Sequence, residues 1–307
     1  MTPKPARPVN HEKPSPQSLT DLPRAAAFMV GAAFLFAVMS VMVKLLSHAL
    51  PNAVLVFLRS GLSLLVLLPT MVRRGVGRLH TRHLREHIVR GTVGMGAMYC
   101  FFFAIAKLGL AEALLLNYSL PLFIPLVERA WLGEPTPPGI WRPIGIGMVG
   151  LVLILKPGLG LFQPAALVGV LGALFAATAQ VGVRRLTLTE SVTNIVFYFS
   201  ICSTVISLGP ALLTWVTPTA SSIPLVLAMV AAGTVAQLLM TRAYQLAPAA
   251  QVGPFIYGSV AFAAFFDWLL FARHPDALSS LGTALVVGAG ILALRGSRAV
   301  RVSALAE

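Results

Sequence analysis

Residues 99–134 read YCFFFAIAKLGLAEALLLNYSLPLFIPLVERAWLGE: two apolar runs joined by a tight connection, closing on a charged, glycine-marked exit at ERAWLGE. Shifted by 139 positions, the stretch falls on residues 238–273, LLMTRAYQLAPAAQVGPFIYGSVAFAAFFDWLLFAR. Ala104 then meets Ala243, Glu112 meets Gln251, Tyr118 meets Tyr257 and Glu128 meets Asp267. The same shift lays Leu35, Phe36 and Ala37 over Leu174, Phe175 and Ala176, and Lys156 over Arg295. Ordered self-similarity without gaps marks one unit, duplicated.

Composition says where the unit lives. With 57% hydrophobic and 11% charged residues and a mean hydropathy of +0.84, a 32.5 kDa chain carries more apolar surface than it can hide within itself, so lipid must cover the rest. The net charge of +13 would suit a nucleic-acid partner if the basic residues clustered. They fall instead between apolar segments, as membrane topology requires, and nucleic acid is excluded as a partner. Cys100 and Cys202 each lie inside an apolar run and pack as small hydrophobes, with no disulfide framework. The start of the chain is polar, is broken by Pro3, Pro5, Pro8, Pro14, Pro16 and Pro23, and has no apolar core of a signal peptide. It reads as a disordered cytoplasmic tail.

A crossing helix needs roughly 20 apolar residues, about 17 where the bilayer thins. The apolar runs predict an all-α membrane protein of ten transmembrane helices at about 25–46, 52–71, 88–106, 109–127, 140–156, 164–184, 191–214, 222–241, 248–270 and 277–295. With the N-terminus inside, eighteen Lys and Arg fall in inner segments and only Lys107, Lys156 and Arg273 in outer loops. That bias places both termini in the cytoplasm. Five crossings per repeat is an odd number, so the two repeats are inverted, an architecture of transporters. The expected organisation is a tail over 1–23, a first repeat over 24–157, a second over 163–296 and a cytoplasmic tail over 297–307.

These features resemble the ten-helix EamA branch of the drug/metabolite transporter superfamily. The resemblance rests on the duplicated five-helix unit, on VFLRSGLSLLVLLP at 56–69 with Arg59 early in the second helix, and on PLFIPLVERAWLGE at 121–134. The second half departs from it at FARHPD, 271–276, where Arg273 stands opposite Glu134. The resemblance implies movement of small metabolites, among them amino acids, nucleotide-like cofactors, vitamins and opine-type metal chelators.

Candidate site residues follow from the cost of polarity within lipid. Arg59 sits roughly 10 Å deep from the outer side, where a cation must face the bundle interior, pair, or meet a substrate anion. Lys44, near the outer end of the first helix, either contacts substrate or snorkels outward. Tyr118 and Tyr257 are repeat mates near the middle of the fourth and ninth helices, with Asn117 and Ser119 flanking Tyr118 and with Tyr99 and Gln237 at comparable depth. The set either lines a central cavity or bonds helix to helix. Pro121, Pro125 and Pro254 loosen both helices near that level. Proton coupling has to be sought among Glu112, Glu128 and Asp267; the plainer role for the last two, beside Arg129 and Trp268, is to anchor helix ends.

Three patterns carry less than they suggest. Gly145, Gly147 and Gly150 spell G-x-G-x-x-G, but inside an apolar run with no preceding strand, so close helix packing explains them. His80, His83 and His87 are interleaved with Arg82, Arg85 and Arg90, which repel a divalent metal, and the stretch reads as a solvated basic loop facing lipid headgroups. Walker A, H-E-x-x-H and G-x-S-x-G patterns are missing, so no catalytic residue, cofactor or metal is assigned.

The expected function is a secondary transporter of the cytoplasmic membrane that exports a small anionic or zwitterionic metabolite, such as an amino-acid derivative or opine-type metallophore. The alternatives are an importer of a vitamin or nucleotide-like cofactor, of riboflavin or S-adenosylmethionine type, and an integral-membrane enzyme on a lipid-soluble substrate. The partners are the small molecule and the lipid bilayer, with homo-oligomerisation left open.

Overall fold

The computed structural model describes residues 21–73, 81–108, 110–136, 138–158, 161, 163–271 and 276–306. The expected N-terminal tail up to residue 20, His80 and Arg273 lie outside the described residues. Regular structure among the described residues is helical throughout: α1 (Leu22–Leu46), α2 (Asn52–Arg73), α3 (Leu84–Leu108), α4 (Leu110–Asn117), α5 (Leu120–Leu132), α6 (Trp141–Leu155), α7 (Ala165–Leu186), α8 (Val192–Leu213), α9 (Ile223–Leu246), α10 (Ala249–Val252), α11 (Gly258–Phe271) and α12 (Ala277–Ala306). Eight described helical segments are long and apolar enough to cross a membrane, and α6 is a shorter apolar helix. Large hydrophobic residues such as Leu65, Val66, Leu167, Val205, Leu212 and Leu269 stand exposed on their flanks. In a multi-pass protein that is the surface lipid covers.

The fourth and ninth segments are broken, and at equivalent places. The fourth divides at Tyr118 and Ser119, between α4 and α5; the ninth passes from α10 through a 3₁₀ turn over Gly253–Tyr257 into α11. Pro121 in the first turn of α5 and Pro254 in the 3₁₀ turn lack the amide hydrogen that a continuous helix needs there, so both chains change direction beside their repeat-related tyrosines. Gly133, at φ 69°, ends α5 in the left-handed conformation, which accounts for the glycine in the exit motif.

Long-range packing is symmetric. Exchange of each helix with its mate in the other repeat turns the α1–α9 contact into α7–α3, and both are among the most extensive in the bundle. The same exchange turns α1–α11 into α7–α5 and α2–α9 into α8–α3, while α2–α8 and α6–α12 map onto themselves. Small residues allow these approaches. A Cβ at Gly172 of α7 would stand 2.8 Å from Cys100 Cβ on α3, and one at Gly150 of α6 would stand 2.7 Å from the Gly282 carbonyl of α12. Gly147 abuts the ring of Tyr257. Two glycines of the G-x-G-x-x-G run, Gly147 and Gly150, thus pack closely against neighbouring helices, while Gly145 is exposed with nothing near it.

One expectation needs correction. α3 begins at Leu84 rather than near 88, so His87 (1% exposed) and Arg90 (5% exposed) belong to a buried helix face and not to a solvated loop. Counting charges between apolar runs missed this, because it says nothing about the side of the helix on which a charge falls. The last helix continues to Ala306.

Candidate functional site

The bundle interior holds a small cavity of about 10 Å³ between α2, α8 and α9, on the scale of one water molecule. Arg59, Ser60 and Ser63 line it from α2; Val196, Phe199 and Ser200 from α8; and Gly233, Thr234 and Gln237 from α9. α2 and α8 form one of the self-mapping helix pairs, which puts the cavity where the two halves meet.

Most of the lining hydroxyls are already engaged. Ser63 donates to the Arg59 carbonyl at 2.6 Å and lies 2.6 Å from Thr234 Oγ1. Ser60 is bonded to Ser203 at 2.9 Å, and Ser200 donates to the Val196 carbonyl at 2.9 Å. Donors without acceptors remain: Arg59 Nε and Gln237 Nε2 are buried with no hydrogen-bond partner among the described residues. No described carboxylate pairs with Arg59, and none lines the cavity. Gly233 makes room for the guanidinium, since a Cβ there would stand 3.1 Å from Arg59 Nε. A buried guanidinium beside a cavity that holds no carboxylate is a positive charge the described fold leaves without a counter-ion.

The other residues singled out in the sequence lie elsewhere. Tyr118 and Tyr257 meet in the main hydrophobic core: the Tyr118 hydroxyl is bonded to Ser259 at 2.9 Å, while the Tyr257 hydroxyl is buried with no partner among the described residues. Ser119 donates to the Leu116 carbonyl at 2.6 Å, Asn117 is half-buried beside it, and Tyr99 is exposed on the outer flank of α3. None of these five lines the cavity; of the eight proposed substrate contacts, Arg59 and Gln237 do.

The remaining charged candidates hold elements together. Lys44 donates to Asp267 at 2.7 Å, joining α1 to α11 with both side chains part-exposed. Glu112 accepts from the Gly158 amide at 2.8 Å. Glu128, 2% exposed, accepts from the amides of Ala249 and Ala250 at 2.6 and 2.8 Å, capping α10 with charge-assisted bonds. Arg184 donates to the Tyr244 carbonyl at 3.0 Å and to Glu134 at 3.3 Å. Lys156 bonds to Asp276, and with Ser279 it holds that carboxyl well below the usual carboxylate range. No group of three or more His, Cys, Asp and Glu among the described residues is arranged to hold a metal ion.

Arg90 is the functional candidate that sequence reasoning missed. Its Cζ lies 3.5 Å from the centroid of the Phe199 ring, which also lines the cavity, and its Nε and Nη1 have no hydrogen-bond partner among the described residues. The available signal was Gly91 and Gly94, glycines one and four residues on, which open the helix face beside it.

A model of the EamA-like transporter family matches this chain twice, over residues 23–156 and 163–295. The chain is 34% identical over 262 residues to the pseudopaline exporter CntI of Pseudomonas aeruginosa, covering 85% of this chain and 92% of that one. It is 29% identical over 273 residues to the riboflavin transporter of Rhizobium johnstonii, covering 88% and 90%. With the S-adenosylmethionine uptake transporter of Rickettsia bellii it shares 28% over 249 residues, covering 81% and 86%. One solved crystal structure superposes with a TM-score of 0.76 at 22% identity, over 89% of this chain and 98% of that one, a likeness of fold alone.

Proposed function

The chain belongs to the EamA-like transporter family, and on that premise we propose that this inner-membrane transporter exports a small anionic or zwitterionic metabolite by alternating access. The class we favour is the amino-acid derivative or opine-type metallophore. The observation that carries the choice is the unpaired guanidinium of Arg59 in a cavity without carboxylates. A guanidinium there attracts a carboxylate, riboflavin offers it no charge, and the extra sulfonium charge of S-adenosylmethionine would meet no carboxylate in the cavity wall. Similarity to a pseudopaline exporter supports the same class and the outward direction.

In this reading ten crossings form two inverted repeats of five, at 24–157 and 163–296, with both termini cytoplasmic. The twofold family match, the symmetric helix contacts and the paired breaks at Tyr118 and Tyr257 support it. Arg59 and Gln237 contact the solute. The broken helices with Asn117, Tyr118, Ser119 and Tyr257 form the joint at which the halves rock, and Lys44 and Tyr99 stay at the periphery. Glu112, Glu128 and Asp267 serve as struts between elements.

Exchange in reconstituted vesicles tests the solute class. An opine amino acid inside the vesicle should accelerate exchange of the labelled compound, whereas riboflavin and S-adenosylmethionine should not. Exchange driven by either of those two, with none by the opine, would overturn the choice.

A further inference from the structure

Arg59 and Arg90 reach the same place from different helices. Arg59 lines the cavity from α2, and Arg90 lies over the Phe199 ring that forms the cavity's α8 wall. No described carboxylate pairs with either. Gly94 and Gly233, 139 positions apart, each lie beside one of the two guanidinia: a Cβ at Gly94 would stand 3.4 Å from Arg90 Nη1, an ordinary contact, and one at Gly233 would stand 2.8 Å from Met39 Sδ and 3.1 Å from Arg59 Nε.

Two unpaired cations brought together inside a bundle repel each other, and each leaves buried donors unsatisfied, a costly arrangement for a purely structural pair. Arg90 has a partial substitute in the Phe199 face, yet a cation over a ring leaves its in-plane N–H groups free to bond elsewhere. Gln237 Nε2, on the cavity wall opposite, is a further buried donor with no partner among the described residues. A molecule that satisfies them supplies several anionic acceptors at once.

Building on the anion reading above, we propose that Arg90 is a second substrate-binding residue and that the transported molecule carries at least two carboxylates, one held by Arg59 and one by Arg90, with Phe199 against its apolar middle. The bidentate geometry of guanidinium with carboxylate then selects two-headed solutes over amino acids with a single head.

The test uses the full-length purified transporter and two probes: N-(1-carboxyethyl)-L-alanine, with two carboxylates, and its monoamide, with one. Binding of both is measured by calorimetry. The wild type should hold the dicarboxylate about tenfold or more tighter than the monoamide, the increment of one charge-assisted pair. Arg90→Gln should bring the two affinities within about twofold by weakening the dicarboxylate alone. If Arg90→Gln does not purify, Arg90→Lys replaces it, keeping the charge without the planar fork, and should narrow the same ratio. Equal weakening of both probes by either variant, or an unchanged ratio, would make Arg90 structural and end this inference. Equal affinity of the wild type for the two probes would also end it while leaving a one-carboxylate site at Arg59 intact. No binding of either probe by the wild type would instead remove the anion reading itself.

Discussion

The ends of the helices and the middle of the bundle treat charge in opposite ways. At the ends, carboxylates are employed: Glu128 caps Ala249 and Ala250, Glu112 takes the Gly158 amide, Glu134 meets Arg184, Asp267 meets Lys44 and Asp276 meets Lys156. In the middle, Arg59 and Arg90 have buried N–H groups with no hydrogen-bond partner and no carboxylate partner among the described residues, Arg90 having only the Phe199 ring. Charge that is satisfied by the fold belongs to the architecture. Charge left unsatisfied where lipid and packing make it expensive is, in the function proposed above, held for the solute.

The comparison breaks most visibly at Glu128. Glu128→Ala orphans two buried amides at the start of α10 and should destabilise the protein by roughly 2–6 kcal/mol, at about 1–3 kcal/mol for each unsatisfied group. A melting temperature within a degree or two of wild type would show that the cap is dispensable. Arg59→Met should move stability the other way, raising it by about 1 kcal/mol, because it trades an unpaired cation for an apolar side chain. A clear fall in melting temperature would mean that Arg59 has a structural partner. Asp267→Asn, at a part-exposed ion pair, should cost under about 1 kcal/mol, less still at high salt, and leave flux unchanged.

Asp276 gives the smallest effect. Its folded pKa lies below its unfolded one, so whatever it contributes is fully present above the ordinary carboxylate pKa. That contribution disappears only as pH falls through the depressed value. Between pH 5 and 8 the melting curves of wild type and Asp276→Asn should therefore keep a constant separation, and they should converge only in strong acid.

Much of this was legible from residue order, for reasons that particular positions make plain. The alignment of Tyr118 with Tyr257 places both helix breaks, because Pro121 and Pro254 accompany the tyrosines and a missing amide hydrogen is a local fact. Arg59 was legible because a lone cation inside an apolar run is costly wherever it points. Arg90 was not, since it ends a run of charges and only the register of α3 against α7 and α8 turns it inward. The partners of Glu128 and Asp267 were hidden for a related reason: Ala249 and Lys44 lie 121 and 223 positions away, and which helix end meets which is decided by tertiary packing. Tyr99 shows the opposite error, since equal depth along a helix did not put it on the inward face.

The central claim is that the unpaired cation in the middle of the bundle is there for the solute. Its most direct test is the flux of a carboxylate substrate through Arg59→Met in proteoliposomes, normalised to the amount of folded transporter. The account predicts a fall of tenfold or more in a protein that is folded and no less stable than wild type. Flux equal to wild type would contradict it.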